Sequence, residues 1–308
     1  MPLNVKHGPI LSLSALALAA MVSALTAAAA GQSAISAPQV SAPPTASEPA
    51  LPDNDTSHCQ AIAAGRHDIA PLVPLCRFAL TFRRQLPNFI CEQTTTSTGP
   101  QTTTVMNAEV TFENGHERYS NVTISGEAPT AEAVKAMKFI SAGELGSDLV
   151  DMFIAPIAAE FKFRRQEKLQ KTPASVYEFR IAAEKNTFWG LRDNQGVVLH
   201  PEYQGELWLE RETGRLLRLK LHAVRLPKNF DFVSAAITTD YNYILIADAG
   251  RFLLPSKSTT TACFHDSKPP AYGPLPLVDV ICKENILLFH DCRKFGTETR
   301  IITEPPQH

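Results

Sequence analysis

The stretch from Tyr203 to His222 constrains the fold most, because apolar and charged residues alternate along both of its arms. That period is typical of a half-buried β-hairpin. If Arg211 pairs with Arg215 across a three-residue loop, Gly214 takes a left-handed conformation that costs glycine nothing. The predicted register sets Leu209 opposite Leu217, Leu207 opposite Leu219, Gly205 opposite Leu221, Glu206 opposite Lys220 and Trp208 opposite Arg218. A shift by one residue would set a leucine against an arginine, so the pattern selects the register.

Trp208 lies on the charged face of this hairpin, opposite the inward leucines Leu207, Leu209, Leu217 and Leu219. The favoured interpretation is that its ring stacks on Arg218 across the hairpin. The alternative is that a large ring among charged neighbours forms a binding platform. The face on which Trp208 lies therefore bears on function as well as on fold.

Residues 1–30 predict a secretory signal peptide, because a short basic region precedes an apolar run that ends in Ala-x-Ala. The alternative is an uncleaved membrane anchor. Residues 31–56 are rich in Ala, Pro and Ser and predict a disordered linker. The leader holds one of the 29 basic residues and none of the 31 acidic ones, so the mature charge is 28 − 31 = −3. This balance gives no support to a nucleic-acid partner.

The remaining chain, residues 57–304, is predicted to be a single domain exported to the periplasm or the extracellular space. Its six cysteines favour disulfides in an oxidising compartment. Three of them lie near the start and three near the end, which suggests that a bridge joins the termini of the domain. The favoured pairs are Cys263–Cys282, Cys59–Cys76 and Cys91–Cys292.

Two helical regions accompany a long series of strands. Residues 57–87 predict two short helices that are broken by Pro71 and Pro74. Residues 141–155 predict a helix that Ser141 and Glu144 begin as a capping box. The other patterns are strands with short turns, including a hairpin at Asn114-Gly115 and a turn near Asp248 to Gly250. The fold class is therefore mainly β with α (α+β): an antiparallel meander with one face for the helices to cover.

Several motifs resemble known proteins, notably LPNFICEQT, the block AEFKFRRQEKLQKTPASVYEFRI, the hairpin YQGELWLERETGRLLRLKL and the ending CKENILLFHDCRKFG. Together they resemble an uncharacterised family of exported bacterial proteins that is common among acidobacteria. At the fold level, the element order resembles the outer-membrane lipoprotein carrier superfamily. This resemblance implies a strongly curved antiparallel sheet, a half-open β-barrel with helices on its concave side, where the carriers bind acyl chains.

The sequence offers no recognisable catalytic motif: Gly-x-Ser-x-Gly, His-Glu-x-x-His and a phosphate-binding glycine loop are absent. The group Cys263, His265, Cys282, His290 and Cys292 contains zinc-ligand types, but its spacing matches no zinc module and export favours disulfides. We therefore expect neither a metal nor a cofactor. His290 and Asp291 are expected to point to opposite faces of a strand and not to touch.

These observations predict a non-catalytic exported protein that binds a hydrophobic ligand, such as a lipid or an acylated protein segment. A lipid or lipoprotein is the expected partner, and the mature protein is expected to be a soluble protein that can associate with the cell envelope. The expected lining combines the apolar face of helix 141–155 with aromatic residues of nearby strands: Leu145, Leu149, Phe153, Phe163, Phe179 and Trp189. The alternative is a rigid cell-envelope interaction or scaffold module in which the same space is filled core.

Overall fold

A computed structural model describes residues 10–11, 57–113, 116–130, 149–150, 152–154, 159–186, 189–193, 196–265 and 280–295. Its helices are α1 (Ser57–Ile62) and α2 (Leu72–Gln85), with 3-10 turns at His67–Ile69 and Ala183–Lys185. The strands are β1 (Ile10–Leu11), β2 (Phe89–Thr98), β3 (Thr103–Glu113), β4 (His116–Ile124), β5 (Glu160–Leu169), β6 (Thr172–Ile181), β7 (Leu191–Arg192), β8 (Val198–Leu199), β9 (Glu202–Glu210), β10 (Leu216–Val224), β11 (Phe232–Ile246), β12 (Gly250–His265) and β13 (Val280–Lys294).

Ten of these strands form one antiparallel sheet in the order β4-β3-β2-β13-β12-β11-β10-β9-β6-β5. The described strands do not close into a barrel, so β4 and β5 are the two edges. The prediction of a mainly β, antiparallel fold with few helices is confirmed. Among the described residues, no helix combines the length and the apolar composition that crossing a bilayer requires.

A small second sheet has the order β1-β7-β8, in which Ile10 and Leu11 pair with Arg192 and Leu191. Only these two residues of the predicted leader are described; the rest of residues 1–30 and all of the predicted linker 31–56 lie outside the described residues. Cleavage of a leader would remove the β1 pairing and leave β7 and β8 as a two-stranded ribbon.

The helices pack on one face of the large sheet. A hydrophobic cluster joins Leu72, Leu75 and Ala79 of α2 to buried residues of β5, β6 and β9 to β12. A second cluster joins Phe82 and Leu86, at the end of α2, to β2, β3, β13 and the tip of the β11–β12 hairpin. The two clusters divide the covered face between them. Burial of this apolar surface is the main source of stability for such a fold.

The β9–β10 hairpin has the predicted register beyond its turn, with Trp208 opposite Arg218, Leu207 opposite Leu219 and Gly205 opposite Leu221. Gly214 has a φ of +70°, as predicted. The pairing next to the turn was predicted wrongly: Leu209 lies opposite Leu216, not Leu217. The register shifts here because the turn-closing hydrogen bond comes from Glu210 and not from Arg211: the N–H of Glu210 donates to the carbonyl oxygen of Arg215 at 2.8 Å.

The resulting bulge turns Leu217 to the other face of the sheet. There it packs with Ala174, Val176 and Trp208 in a small separate cluster, whereas Leu207, Leu209, Leu216 and Leu219 belong to the main core. Trp208 thus lies opposite the main core, as predicted. Its predicted stacking on Arg218 is wrong, since Arg218 instead binds Asp240 at 2.5 Å. The Trp208 ring lies under Arg165, with 5.9 Å to the guanidinium carbon, and its Nε1 donates to Glu167.

The first helical region differs from the prediction at one proline. Pro71 is the N-cap of α2, but Pro74 lies inside its first turn and does not interrupt the helix. Backbone N–H groups in the first turn have no intrahelical acceptor, so a proline there removes no hydrogen bond. The helix ends before Pro87, as predicted, because Leu86 is already extended.

The other turns follow the sequence signals. Val110 lies opposite Tyr119 and Phe112 opposite Glu117, as the Asn114-Gly115 hairpin predicts, although the two turn residues lie outside the described residues. At the tip of β11–β12, Asp248 and Gly250 both have positive φ.

All three predicted disulfides are present. Cys59–Cys76 joins α1 to α2, Cys263–Cys282 joins β12 to β13, and Cys91–Cys292 joins β2 to β13. Since none of the six cysteines is free, none offers a thiolate, which removes the zinc alternative that required them.

Candidate functional site: a cleft beside the edge strand

An open cleft of about 890 Å³ lies at one end of the large sheet. Its walls come from α1, the first 3-10 turn and residues 152–154. The first half of β5 and the last part of β6 complete them. The lining residues fall into an apolar group, Ala61, Ile62, Ile69, Met152, Phe153, Ile154, Ala159, Phe161, Phe163 and Phe179, and a polar group, His58, Arg66, Asp68, Glu160, Lys162, Glu178 and Arg180. A volume of this size falls in the range of small-molecule sites.

Four aromatic rings belong to the apolar part of the cleft. The rings of Phe153 and Phe161 stack with centroids 5.3 Å apart, and Phe161 lies 6.4 Å from Phe179. Phe161 and Phe163 share a face because they alternate along β5, and they lie opposite Phe179 and Tyr177 of β6. Phe163 is only partly buried and meets Tyr177 edge to face at 5.7 Å, so it presents apolar surface to the cleft.

Charged groups form the rim. His58 Nε2 lies 2.7 Å from the carbonyl oxygen of Phe153, which ties α1 to residues 152–154. Arg66 and Asp68 form an ion pair at 2.9 Å. The hydrogen bond from Arg66 is the main reason that the pKa of Asp68 lies below its ordinary value. An apolar floor with a charged rim suits an amphiphilic ligand, whose polar end stays near water.

A second rim cation, Arg180, is held by Glu202 at 2.6 Å, and Arg225 binds the same carboxylate. The hydrogen bond from Arg225 is the main reason that the pKa of Glu202 is lowered, with Arg180 contributing. Because the folded pKa is lowered, this carboxylate contributes stability above its ordinary value of 4.5. That contribution is lost as pH falls below 4.5 through the lowered folded value.

The Glu202→Gln variant is therefore expected to be less stable at pH 7 by about 1–3 kcal/mol, the usual size of a charge-assisted hydrogen bond. Its free energy of unfolding should also fall less steeply than that of the wild type below pH 4.5. Urea denaturation at several pH values measures both. Glu178→Gln is the matched control, since the ion pair described for Glu178 is with the half-exposed Arg164. Equal acid slopes for wild type and Glu202→Gln would contradict the assignment.

The structure brings three of the six predicted lining residues to the cleft: Phe153, Phe163 and Phe179. Leu149 and Trp189 are buried in the main core and do not line it, and Trp189 packs against Tyr203 at 5.3 Å. Leu145 lies outside the described residues, as do the predicted cap residues Ser141 and Glu144.

Sequence reasoning missed the polar rim. Arg66 and Asp68 follow Gly65, whose φ is +71° and whose turn ends α1, and a glycine there is a readable helix-end signal. Nothing in the sequence indicates that this turn meets β5, about a hundred residues later. Phe161 alternates with Phe163 on one face of β5, but the sequence does not predict it as part of a ligand site.

On the opposite side of the sheet, His290 and Asp291 touch, which corrects the expectation that they would not. His290 Nδ1 lies 2.8 Å from Asp291 Oδ2. The strand rule fails because the register of β13 shifts between His290 and Arg293, and Asp291 has a φ of +51°. With Glu92 these residues form an exposed group of metal-ligand types. Exposed acidic groups of this kind are common without a metal.

No protein-family model matches this chain, and no curated protein sequence matches it. Among solved structures, it is similar to a domain described as an outer-membrane lipoprotein-sorting protein from Vibrio parahaemolyticus, with 12% identity, a TM-score of 0.36 and coverage of 73% of this chain and 93% of that one. A DUF1329 family protein from Desulfovibrio piger has 8% identity, a TM-score of 0.33 and coverage of 74% and 95%. MucB in complex with MucA(peri) has 12% identity, a TM-score of 0.19 and coverage of 73% and 98%.

A lipoprotein-sorting domain, the class of protein that the sequence motifs resemble, is thus among the solved structures to which this chain is similar. The likeness is coarse at these TM-scores, and it carries no argument about function.

Proposed function

We propose that this chain is an exported, non-catalytic protein that binds a hydrophobic ligand in the cleft beside β5. The ligand is a lipid or an acylated protein segment, held between the sheet and residues 152–154. The observation that carries the proposal is the open cleft of about 890 Å³ with Phe153, Phe161 and Phe179 at its base. The proposal includes a strongly curved single domain, a half-open β-barrel with the helices on its concave side. Three disulfides support export to an oxidising compartment.

The alternative of a rigid scaffold with a filled core is less favoured. A filled core would leave no space between the helical elements and the sheet, whereas the cleft separates α1 and residues 152–154 from β5 and β6. The disulfide Cys59–Cys76 does make α1 and α2 rigid relative to each other. A preformed pocket with rigid walls binds an apolar ligand without the entropy cost of ordering itself, so this disulfide also fits the binding proposal.

Uptake of the apolar dye N-phenyl-1-naphthylamine tests the proposal. We expect saturable fluorescence enhancement with the wild type and its reversal by palmitic acid. Phe163→Ala should weaken dye binding about tenfold, because truncation removes part of the 1.5–3 kcal/mol that burying a phenylalanine provides. Tyr243→Ala is the matched control, since Tyr243 is exposed on β11 and does not line the cleft. Absence of dye uptake, or equal affinity in wild type and Phe163→Ala, would refute the cleft as the ligand site.

A further inference from the structure

The cleft follows the free edge of β5. Glu160 and Lys162 point to one face of this strand and Phe161 and Phe163 to the other, since successive side chains alternate. All four line the same cleft. A single cleft reaches both faces of one strand only by passing around its edge. In the described sheet β5 pairs with β6 alone, so this edge is the terminal one.

Two side chains take the place of a neighbouring strand along this edge. Arg66 Nη1 donates to the carbonyl oxygen of Phe161 at 3.0 Å. Asp68 is held beside the same stretch of strand by its hydrogen bond from Arg66 at 2.9 Å, and the backbone N–H of Phe163 is the smallest of the contributions that lower the pKa of its carboxyl. A β-strand laid beside β5 would offer the same pattern, one donor to Phe161 and one acceptor to Phe163. The Arg66–Asp68 pair therefore satisfies the backbone positions that strand pairing would use.

This pair is easily displaced. Its side chains are 46% and 44% exposed, and an exposed ion pair contributes little stability because water screens it. By contrast, the turn that carries the pair is anchored, since Ile69 is 1% exposed in the main core and Cys59–Cys76 fixes α1. The two side chains can swing away while their backbone stays in place.

We propose that the edge of β5 is a docking site for an extended, acidic segment of another protein, which adds to the sheet as a further antiparallel or parallel strand. The segment displaces Arg66 and Asp68 from the backbone of Phe161 and Phe163. Its apolar side chains alternate toward the aromatic part of the cleft, and its carboxylates face the cations of the rim. Strand addition of this kind obtains affinity from main-chain hydrogen bonds and specificity from alternate side chains.

The charge of β5 selects this occupant. The strand carries four cations, Lys162, Arg164, Arg165 and Lys168, against two anions, Glu160 and Glu167. Glu178 pairs with Arg164, and Glu167 and Glu206 pair with Arg165, so the strand charges that no described ion pair offsets are Lys162 and Lys168 against Glu160, 2 − 1 = +1. This balance favours an acidic segment and opposes pairing with the β5 of a second copy, which would bring like charges together. The chain's own residues 31–56 are also acidic, but they contain five prolines, which lack the N–H that strand pairing requires.

Binding of synthetic decapeptides, measured by fluorescence anisotropy at pH 7.5, tests the proposal. The probe is (Val-Glu)5 with a fluorescent label. Its two controls are (Val-Lys)5 and a (Val-Glu)5 that is N-methylated at every residue, which removes the backbone donors of both peptide edges and so blocks pairing in either strand direction. We expect saturable binding of the unmodified (Val-Glu)5 by the wild-type protein, and at least tenfold weaker binding of both controls.

Asp68→Ala frees the N–H of Phe163 and should tighten binding of (Val-Glu)5 about threefold to tenfold, the worth of one hydrogen bond that no longer has to be broken. The affinity of the N-methylated peptide should increase less on Asp68→Ala substitution. This difference separates the effect of backbone pairing from the effect of losing a negative charge. Glu113→Ala is the matched control, because it removes an acidic partner of an arginine on the opposite edge of the sheet. Amide hydrogen exchange at Phe163 should slow when the peptide binds.

Several results would overturn the proposal. These are failure of (Val-Glu)5 to bind either protein, equal binding of the N-methylated peptide, or an Asp68→Ala protein that only self-associates in light scattering. The last result would assign Arg66 and Asp68 to guarding the edge against a second copy. Dye uptake is measured on the same samples, and peptide binding without dye uptake would retain this proposal while removing the lipid-binding one.

Discussion

Replacement of Gly205 by alanine is expected to destabilise the protein by about 3 kcal/mol or more, the upper range for overpacking a core. A Cβ atom at this position would lie 1.9 Å from the carbonyl oxygen of Lys220 and 2.8 Å from two ring atoms of Phe179. Neither neighbouring group can move away without a large cost in free energy. Lys220 lies in β10, paired to β9 at Glu206, and the Phe179 ring is fully buried beneath the sheet. Gly205 therefore allows β9 and the Phe179 ring to approach closely.

Urea denaturation of Gly205→Ala measures this loss, and Gly99→Ala is the matched control. At Gly99, an added Cβ would meet only the flexible side chain of Lys283, at 2.9 Å, so the cost should stay below about 1 kcal/mol. A Gly205→Ala protein as stable as Gly99→Ala would mean that β9 and β10 are not as close as described. Because Phe179 also lines the cleft, we expect weaker dye uptake by Gly205→Ala even where it remains folded.

Removal of the Cys91–Cys292 disulfide by alanine substitution at both positions is expected to lower the free energy of unfolding by about 3–5 kcal/mol. The two cysteines are separated by 201 residues in sequence, so the bridge restricts almost the whole unfolded domain. It also lies within the hydrophobic cluster that joins the end of α2 to β2 and β13. Equilibrium denaturation of the double variant measures the loss.

The matched control is alanine at both Cys263 and Cys282, which are separated by only 19 residues and join neighbouring strands. The loop-entropy relation gives this bridge about 2 kcal/mol less than Cys91–Cys292. If the two double variants lost equal stability, loop length would not determine the effect of these bridges. Local packing around the cysteines would then be the better explanation.

The sequence predicted local structure best where a short-range rule determines the outcome. Alternation located the strands, and the turn signals at Gly214 and Asp248 to Gly250 located two hairpins. The even number of cysteines and their grouping near the two ends gave the disulfide pairs. These features depend on steric preference and on the period of two in a strand, both of which are visible in a single sequence.

Other features depend on contacts that no short-range rule contains. The bulges at Leu217 and Asp291 each shift a register by one residue, and this reverses the face of Leu217 and brings Asp291 to His290. The cleft required α1, β5 and β6 to meet, although they are separated by about a hundred residues. Three of the six residues predicted to line a ligand site lie at the cleft, and their role in binding stays a prediction. The polar rim was not anticipated.

The position of β13 determines when the sheet can be completed. β13, the last strand that the structure describes, lies between β2 and β12, and among the described strands it alone pairs the three-stranded unit β2–β4 with the remainder of the sheet. A polypeptide that crosses a membrane from its N-terminus delivers β2–β4 first and β13 last. Until β13 arrives, β2 exposes an unpaired edge rich in threonine, a state open to aggregation and to capture by a chaperone. If the chain is exported as proposed, its folding after translocation should be slow and should finish in one late, cooperative step, when Cys292 first reaches Cys91.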